Sequence, residues 1–252
     1  MNQFNSGPSI NTYNKLSHWF DFSNPGILKV YSGKIDIGQH ISSTLALITS
    51  KITEINYDQI EIIKLSTEIS PNEGITASSL SVANSGSAIK AASIALKINF
   101  INYALENLKI KNEDIIFENG VIKDKNSNKT ISYWDFAKTE EFRGSIIPEN
   151  FDENSLKKIK YQNNQKIELK TINEIVTGKY KYVHDINFPK MLHARIVRPP
   201  SYHCKLIKIN EDFKKRLDEN EIELFIKGSF VAILSLDEFL VIKFLEINHK
   251  SF

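Results

Sequence analysis

The spacing of apolar residues in the first third of the chain predicts a hairpin followed by a helix. Two apolar runs, at 19–22 and 27–37, flank an Asn-Pro-Gly sequence at 24–26, in which proline fixes one φ and glycine is free to take a positive φ. Apolar residues then recur at helical spacing: Ile41, Leu45, Ile48, Ile52 and Ile55. Residues 60–65 read as another strand. The pattern therefore predicts a β-hairpin, an amphipathic helix and a strand in that order.

A longer helix and a second hairpin are predicted further along. Small and apolar residues occupy most faces of residues 85–108, as expected of a helix packed between layers. Residues 115–122 predict two strands joined by Asn119-Gly120, because an Asn-Gly pair suits the turn of a two-residue hairpin. Residues 140–170 are rich in charge and amides and have few periodic apolar positions, which predicts a long exposed connection.

The last part of the chain predicts a small module of strands and helices. Short strands are predicted at 180–186, 191–197, 207–209, 222–225 and 230–234. Helices are predicted at 212–220 and 236–246. The predicted fold class is α+β, with two domains at 1–138 and 172–252 and a linker at 139–171.

Composition is that of a folded protein with no charge bias towards a particular partner. Hydrophobic residues are 41% and charged residues 25% of the chain, which disfavours global disorder. The 32 basic and 30 acidic residues are interspersed, so we expect no nucleic-acid partner. The most apolar helical stretch, 88–105, contains Lys90 and Lys97, and no run approaches the roughly 20 apolar residues of a membrane span.

The number and spacing of the cysteine and histidine residues predict no metal site. Cys204 is the only cysteine, so any iron-sulfur cluster must lie on a partner. The spacing of His184, His193 and His203 fits no established ligand pattern. Residues 1–15 lack the basic and apolar regions of a secretory signal, and cytoplasmic localisation is the default expectation.

Two short motifs carry the candidate chemistry. The first, GKIDIGQH at 33–40, is predicted at a strand end before a helix, where the unpaired backbone N–H groups of the first helical turn can meet an oxyanion. The second, TASSLS at 76–81, precedes the long helix and offers hydroxyl groups to a ligand or to the helix N-terminus. Each motif taken alone is compatible with an ordinary turn or helix cap.

The two motifs and a third segment, GKYKYVHDINFPKMLHARIVRPP at 178–200, resemble a known family. Together they are similar to the molybdopterin-binding large subunit of the xanthine dehydrogenase and aldehyde oxidase superfamily, of the nicotinate dehydrogenase and isoquinoline oxidoreductase type. The resemblance extends from about Ser9 to Phe244. It implies that 1–138 form part of a molybdenum-cofactor-binding region and that 172–252 form an a/b hammerhead domain.

The resemblance also implies which residues contact the cofactor. Gln39 matches the family glutamine that hydrogen-bonds an oxo ligand of molybdenum, and Ser78 and Ser79 match positions beside the metal centre and the pterin. The implied cofactor-binding set is Gly38, Gln39, His40, Thr76, Ala77, Ser78 and Ser79. No catalytic or metal-ligating residue is assigned, because no candidate matches the family's general-base glutamate.

Two positions depart from the family pattern. His40 stands where the family has glycine, and it is interpreted first as a helix-start residue pointing to solvent, then as a sign of lost function, and last as a new ligand-contacting group. Glu73-Gly74-Ile75-Thr76 retains one of two family glycines. Both changes bear on cofactor affinity.

The resemblance implies the N-terminal part of a molybdenum hydroxylase. Such an enzyme oxidises an aldehyde or N-heterocycle with water as the oxygen source and passes electrons to a [2Fe–2S] small subunit. The chain alone is expected to be inactive. It is expected to hold the molybdenum cofactor, in a dinucleotide form, only with a complementary large-subunit fragment. The alternative is a non-catalytic interaction module or relic fragment that docks to a redox partner, which an uncovered apolar patch on 85–108 would favour.

Overall fold

The computed structural model describes residues 6–147 and 168–248. The chain divides between Tyr180 and Lys181 into two compact units. Most of the predicted linker lies outside the described residues. Helices and small sheets occur in both units, which confirms the α+β fold class. No helix within the described ranges is long and apolar enough to span a membrane.

A three-stranded sheet begins the first unit. Its strands are β1 (Phe20–Asp21), β2 (Leu28–Val30) and β3 (Ile60–Ile62). Strand β2 pairs antiparallel with β1 and parallel with β3. The predicted hairpin is therefore confirmed, and Gly26 takes a φ of 77° in its turn. The prediction that the second strand runs to residue 37 is wrong, because the chain leaves the sheet after Val30.

Two helices form the core of this unit. Helix α1 (Ile41–Thr53) buries the apolar face that its spacing predicted. Helix α2 (Ser87–Leu108) follows a π-helical turn at Val82–Gly86. None of the large apolar residues of α2 is exposed, so the described helix lacks the apolar patch that would favour an interaction module.

The second predicted hairpin is confirmed. Strands β4 (Ile115–Glu118) and β5 (Val121–Asp124) pair antiparallel around Asn119-Gly120, whose φ values of 46° and 73° are both positive, as this turn requires. Strand β6 (Thr130–Ser132) completes the sheet. The short helices α3 (Tyr133–Phe136) and α4 (Ile172–Val176) follow.

The second unit is a three-stranded antiparallel sheet with two helices. Strands β7 (His193–Ile196), β8 (Glu223–Lys227) and β9 (Phe230–Ser235) have the order β7-β9-β8. Helices α5 (Glu211–Glu219) and α6 (Glu238–Asn248) share its apolar core. Two predicted strands are wrong: Val183–Asp185 forms a 3₁₀ turn, and residues 207–209 are irregular. The hammerhead assignment stays a prediction.

Candidate functional site

The two sequence motifs lie on loops that contact each other. We name residues 32–40 the glutamine loop and residues 72–81 the serine loop. The Lys34 side chain, only 6% exposed, donates from Nζ to the carbonyl oxygens of Glu73 at 2.7 Å and Ile75 at 2.8 Å. The fold therefore brings together two segments that are about 40 residues apart in the sequence.

The Glu73 carboxylate accepts three hydrogen bonds, two of them from the glutamine loop. It accepts from the hydroxyls of Ser9 and Ser32, each at 3.0 Å, and from the Gly33 N–H at 2.8 Å. A Cβ at Gly33 would lie 2.1 Å from the Pro71 carbonyl oxygen, so only glycine allows this approach. Glu73, which begins the segment that departs from the family's glycine pattern, thus has a structural role here.

Gln39 and Thr76 meet at the backbone of one residue. The Ile35 N–H donates to Thr76 Oγ1 at 3.1 Å, and the Ile35 carbonyl accepts from Gln39 Nε2 at 3.0 Å. Gln39 Oε1 accepts from the Ile37 N–H at 2.7 Å. A primary amide has two hydrogens and two lone pairs, so the exposed Gln39 side chain keeps one N–H donor for a ligand, with its direction fixed.

Asp36 accepts hydrogen bonds from three backbone N–H groups before and within the first turn of α1. Its Oδ1 accepts from the N–H groups of Gly38 at 3.1 Å and His40 at 3.2 Å, and its Oδ2 accepts from Ser42 at 3.4 Å. The expectation of unpaired donors at the start of α1 is therefore not met at the N–H groups of His40 and Ser42. The motif lies within the ten irregular residues, 31–40, that separate β2 from α1, so Gly38 and Gln39 do not stand at a strand end.

His40 combines a strained backbone with an unsatisfied ring nitrogen. It precedes α1 with a φ of 57° in the left-handed region, where a non-glycine residue is disfavoured. The side chain is half-buried, and its Nδ1 is buried without a hydrogen-bond partner. The expectation that His40 points to solvent is not met at this atom.

The serine loop exposes two consecutive strained serines. Ser78 and Ser79 have φ values of 54° and 56°. Both are exposed, and within residues 6–147 and 168–248 neither side chain has a hydrogen-bond partner. Ser81, at the start of the π-helical turn, makes no side-chain cap. Strained residues and π-helical turns occur often at functional sites, and a capping role does not explain these hydroxyls.

Gly38 and Ala77, the remaining predicted residues of the motifs, have no polar side-chain groups. Gly38 has a φ of 103°, a conformation that suits glycine. Ala77 is exposed, and its carbonyl accepts from the Leu80 N–H at 3.2 Å. Gly38 directly precedes the exposed Gln39, and Ala77 directly precedes the exposed Ser78.

Sequence reasoning missed three residues that shape the site. Asp36 had a local signal, because an Asp two residues before a glycine often forms a turn with the following backbone. Lys34 and Glu73 had none, since their partners lie on the opposite loop.

His193 and Cys204, in the second unit, have ordinary partners. His193 Nδ1 lies 3.8 Å from Glu238 Oε2, and Arg195 Nη2 lies 2.7 Å from Glu238 Oε1. Cys204 is exposed beside Ser201 Oγ at 3.2 Å. Among the described residues, no group of three or more His, Cys, Asp or Glu side chains is arranged to hold a metal ion.

A family model and a known protein each match most of this chain. A family model described as the molybdopterin cofactor-binding domain matches residues 2–181. A nicotinate dehydrogenase chain of Pseudomonas putida is 26% identical over 188 residues, which is 74% of this chain and 15% of that protein. The chain therefore spans less than a fifth of this relative's length.

Two solved structures share a more limited likeness. They are Cu,Mo-CO dehydrogenase in its carbon monoxide reduced state and reconstituted CO dehydrogenase from Oligotropha carboxidovorans. Each is 22% identical and has a TM-score of 0.38, with 44% of this chain and 14% of the other covered.

Proposed function

The chain belongs to the molybdopterin cofactor-binding domain family, and we propose that it forms part of the cofactor site of a molybdenum hydroxylase subunit. The matched range, 2–181, contains both the glutamine loop and the serine loop. The proposed reaction is the water-dependent oxidation of an aldehyde or an N-heterocycle. The name of the relative, nicotinate dehydrogenase, supports a heterocyclic substrate.

One observation carries this proposal: the two motif loops meet through hydrogen bonds. Thr76 and Gln39 bond to the N–H and the carbonyl of Ile35, so two segments that are distant in sequence present their polar groups at one place. Two turns that do not form one site need not form hydrogen bonds with the same residue. The contact supports a common ligand for the two loops.

The chemistry of the donor set fits a molybdopterin cofactor. Gln39 offers a neutral N–H with a fixed direction, and Ser78 and Ser79 offer exposed hydroxyls without partners in the described ranges. Neutral donors suit oxo and pterin oxygens because they add no competing charge. We propose that these residues, with Gly38, His40, Thr76 and Ala77 around them, hold the cofactor.

The role of this chain in the proposed site is to bind and orient. The cofactor, when bound, supplies the redox chemistry of molybdenum. Gln39 would fix the position of a polar group on the cofactor, while the serine hydroxyls would hold its edge. No residue of the chain is assigned as the general base, so proton transfer is left to another part of the proposed enzyme.

Further parts complete the proposed assembly. We propose a dinucleotide form of the cofactor, a [2Fe–2S] small subunit as electron acceptor, and a complementary large-subunit fragment that supplies the rest of the cofactor cradle. The a/b hammerhead assignment of 172–252 and a cytoplasmic location belong to the same proposal. On this basis the chain purified alone is inactive.

Metal and pterin analysis tests the proposed function. The chain is purified alone and after co-expression with the reading frame immediately downstream. We expect molybdenum and pterin only in the co-expressed complex, and their loss in Gln39→Ala. Gln59→Ala is the matched control, because it removes the same side chain and one hydrogen bond, to the Gly26 carbonyl. An absence of molybdenum and pterin from the wild-type complex would contradict the proposal.

An interaction module is the second candidate, and the second unit supplies its support. Strand alternation puts Ile196, Phe225 and Phe230 on the sheet face opposite the core residue Ile233. Their exposed fractions are 49%, 47% and 46%. A complementary large-subunit fragment that covers this face without any cofactor would favour the second candidate. Pull-down of the co-expressed fragment by metal-free protein measures that outcome.

A further inference from the structure

We infer that Lys34 and Glu73 are positioning residues that set the distance and orientation between the glutamine loop and the serine loop. This inference rests on the proposed function, because it assigns these two residues to the alignment of the proposed cofactor donors. Neither residue belongs to the predicted cofactor-binding set. Each acts through the backbone that carries Gln39 and Thr76.

Glu73 binds the start of the glutamine loop. Its Oε2 accepts from the Ser32 hydroxyl and from the Gly33 N–H, and its Oε1 accepts from the Ser9 hydroxyl. Ser32 Oγ in turn accepts from the Lys34 N–H at 3.2 Å. One carboxylate therefore joins the serine loop to two other segments of the first unit.

Lys34 makes the reciprocal connection. Its side chain is buried, yet Nζ donates to two carbonyl oxygens of the serine loop, those of Glu73 and Ile75. A buried ammonium is costly unless it is well hydrogen-bonded. These two bonds therefore favour one spacing of the loops over any other, because separation would leave both the ammonium and the two carbonyls unsatisfied.

The backbone transmits this alignment to the donor groups. Ile35 directly follows Lys34, and its N–H and carbonyl hold Thr76 Oγ1 and Gln39 Nε2. Residues 33–35 are thus fixed by their bonds to the serine loop, through Glu73 and the Lys34 side chain, and by the bonds of Ile35 with Thr76 and Gln39. A shift of this short segment would displace Gln39 and Thr76 together.

Amide hydrogen exchange of the cofactor-free full chain tests the alignment. The informative reporters are the N–H groups of Ile35 and Ile37, which bond to Thr76 and Gln39 and not to Lys34 or Glu73. In Glu73→Ala we expect their exchange to accelerate by about tenfold or more, the equilibrium equivalent of one lost buried hydrogen bond. Amides of helix α2 should change by less than about twofold.

Conservative variants separate positioning from simple loss of packing. Glu73→Gln can keep all three contacts, because its oxygen can accept from Ser32 and Gly33 while its NH₂ donates to Ser9 Oγ. We expect near wild-type exchange in this variant. Glu73→Asp, which has a shorter side chain, should accelerate hydrogen exchange at the Ile35 and Ile37 amides as Glu73→Ala does. If the alanine variant does not fold, Glu73→Asp replaces it in the test.

Lys34→Met tests the other half of the connection. The methionine side chain is apolar and of similar length, so the carbonyls of Glu73 and Ile75 lose their donor. Lys64→Met is the matched control, since Lys64 is exposed and has no side-chain partner in the described ranges. Equal exchange at Ile35 in both variants would overturn the inference for Lys34, and an unchanged rate in Glu73→Ala and Glu73→Asp would overturn it for Glu73.

Cofactor content of the co-expressed complex supplies the second readout. We expect Glu73→Ala to lower molybdenum per chain by about tenfold or more, and Glu73→Gln to lower it by less than about twofold, in line with one misplaced donor. Faster exchange with unchanged molybdenum would overturn the positioning role alone. Faster exchange in a protein whose wild type never carries molybdenum would instead contradict the proposed function and leave the loop connection established.

Discussion

The glutamine loop and the serine loop lie against each other but use their polar groups in opposite ways. In the glutamine loop, Asp36 and Gln39 bond to the backbone of their own loop. In the serine loop, Ser78 and Ser79 are strained, exposed and without side-chain partners in the described ranges. Under the proposed function, the first loop forms the base of the cofactor site and the second presents its hydroxyl groups to the cofactor.

The largest loss of stability is expected from Gly33→Ala, which disrupts the contact between the two loops. The new Cβ would lie 2.1 Å from the Pro71 carbonyl oxygen, so the loops must separate. We expect a loss of about 3 kcal/mol in the free energy of unfolding, at the upper end for overpacking. Urea denaturation measures this loss. Gly74→Ala is the control, because nothing lies within 4 Å of its Cβ and only its φ of 71° is strained.

Asp36→Ala tests how much the carboxylate within the glutamine loop contributes to stability. The substitution removes the acceptor of three backbone N–H groups before and within the first turn of α1. We expect the free energy of unfolding to fall by about 1 to 2 kcal/mol, as for the loss of a helix cap. Urea denaturation again provides the value. A change below the error of the measurement would mean that the glutamine loop does not depend on its own carboxylate.

A smaller loss is expected from Thr76→Val, which keeps the side-chain shape and removes the hydroxyl that accepts from the Ile35 N–H. The cost should be about 1 kcal/mol of unfolding free energy, together with faster exchange at the Ile35 amide. Thr67→Val is the control, since Thr67 is exposed and has no side-chain partner in the described ranges. Equal stability of the two variants would show that Thr76 does not hold the loops together.

The smallest effect, and the only gain, is expected from Ser78→Gly. Glycine relieves a left-handed φ of 54°, but its greater freedom in the unfolded chain offsets part of the gain, so unfolding should become harder by less than about 1 kcal/mol. Ser81→Gly should instead destabilise, because Ser81 has a helical φ of −58°. Differential scanning calorimetry of both variants tests whether the signs differ.

The elements that were predicted correctly depend on local sequence. The spacing of Ile41, Leu45 and Ile52 was enough for α1, and Asn119-Gly120 was enough for the second hairpin. The end of β2 at Val30 could not be predicted in this way. The following residues, Ser32 and Gly33, bond to a carboxylate about 40 positions away, and no local pattern reports such a partner.

The sequence supplied candidate residues for the site but could not supply their arrangement. The resemblance named Gln39, Thr76 and Ser78 because residue type and order are visible in a sequence. It could not show that Asp36 accepts from the N–H groups of His40 and Ser42, since that depends on the conformation of a single side chain. Strand predictions at 180–186 and 207–209 failed because short apolar runs do not distinguish strands from irregular chain.

The two hydrogen bonds of Gln39 have a thermodynamic consequence for anything that binds there. A free glutamine side chain loses about 1.5 to 2 kcal/mol of rotamer entropy when it is immobilised. Because Oε1 and Nε2 are already bonded to the backbone at Ile37 and Ile35, most of that entropy is lost during folding. A ligand that meets the remaining N–H gains a donor whose conformational cost does not recur, which is how preorganised sites raise affinity.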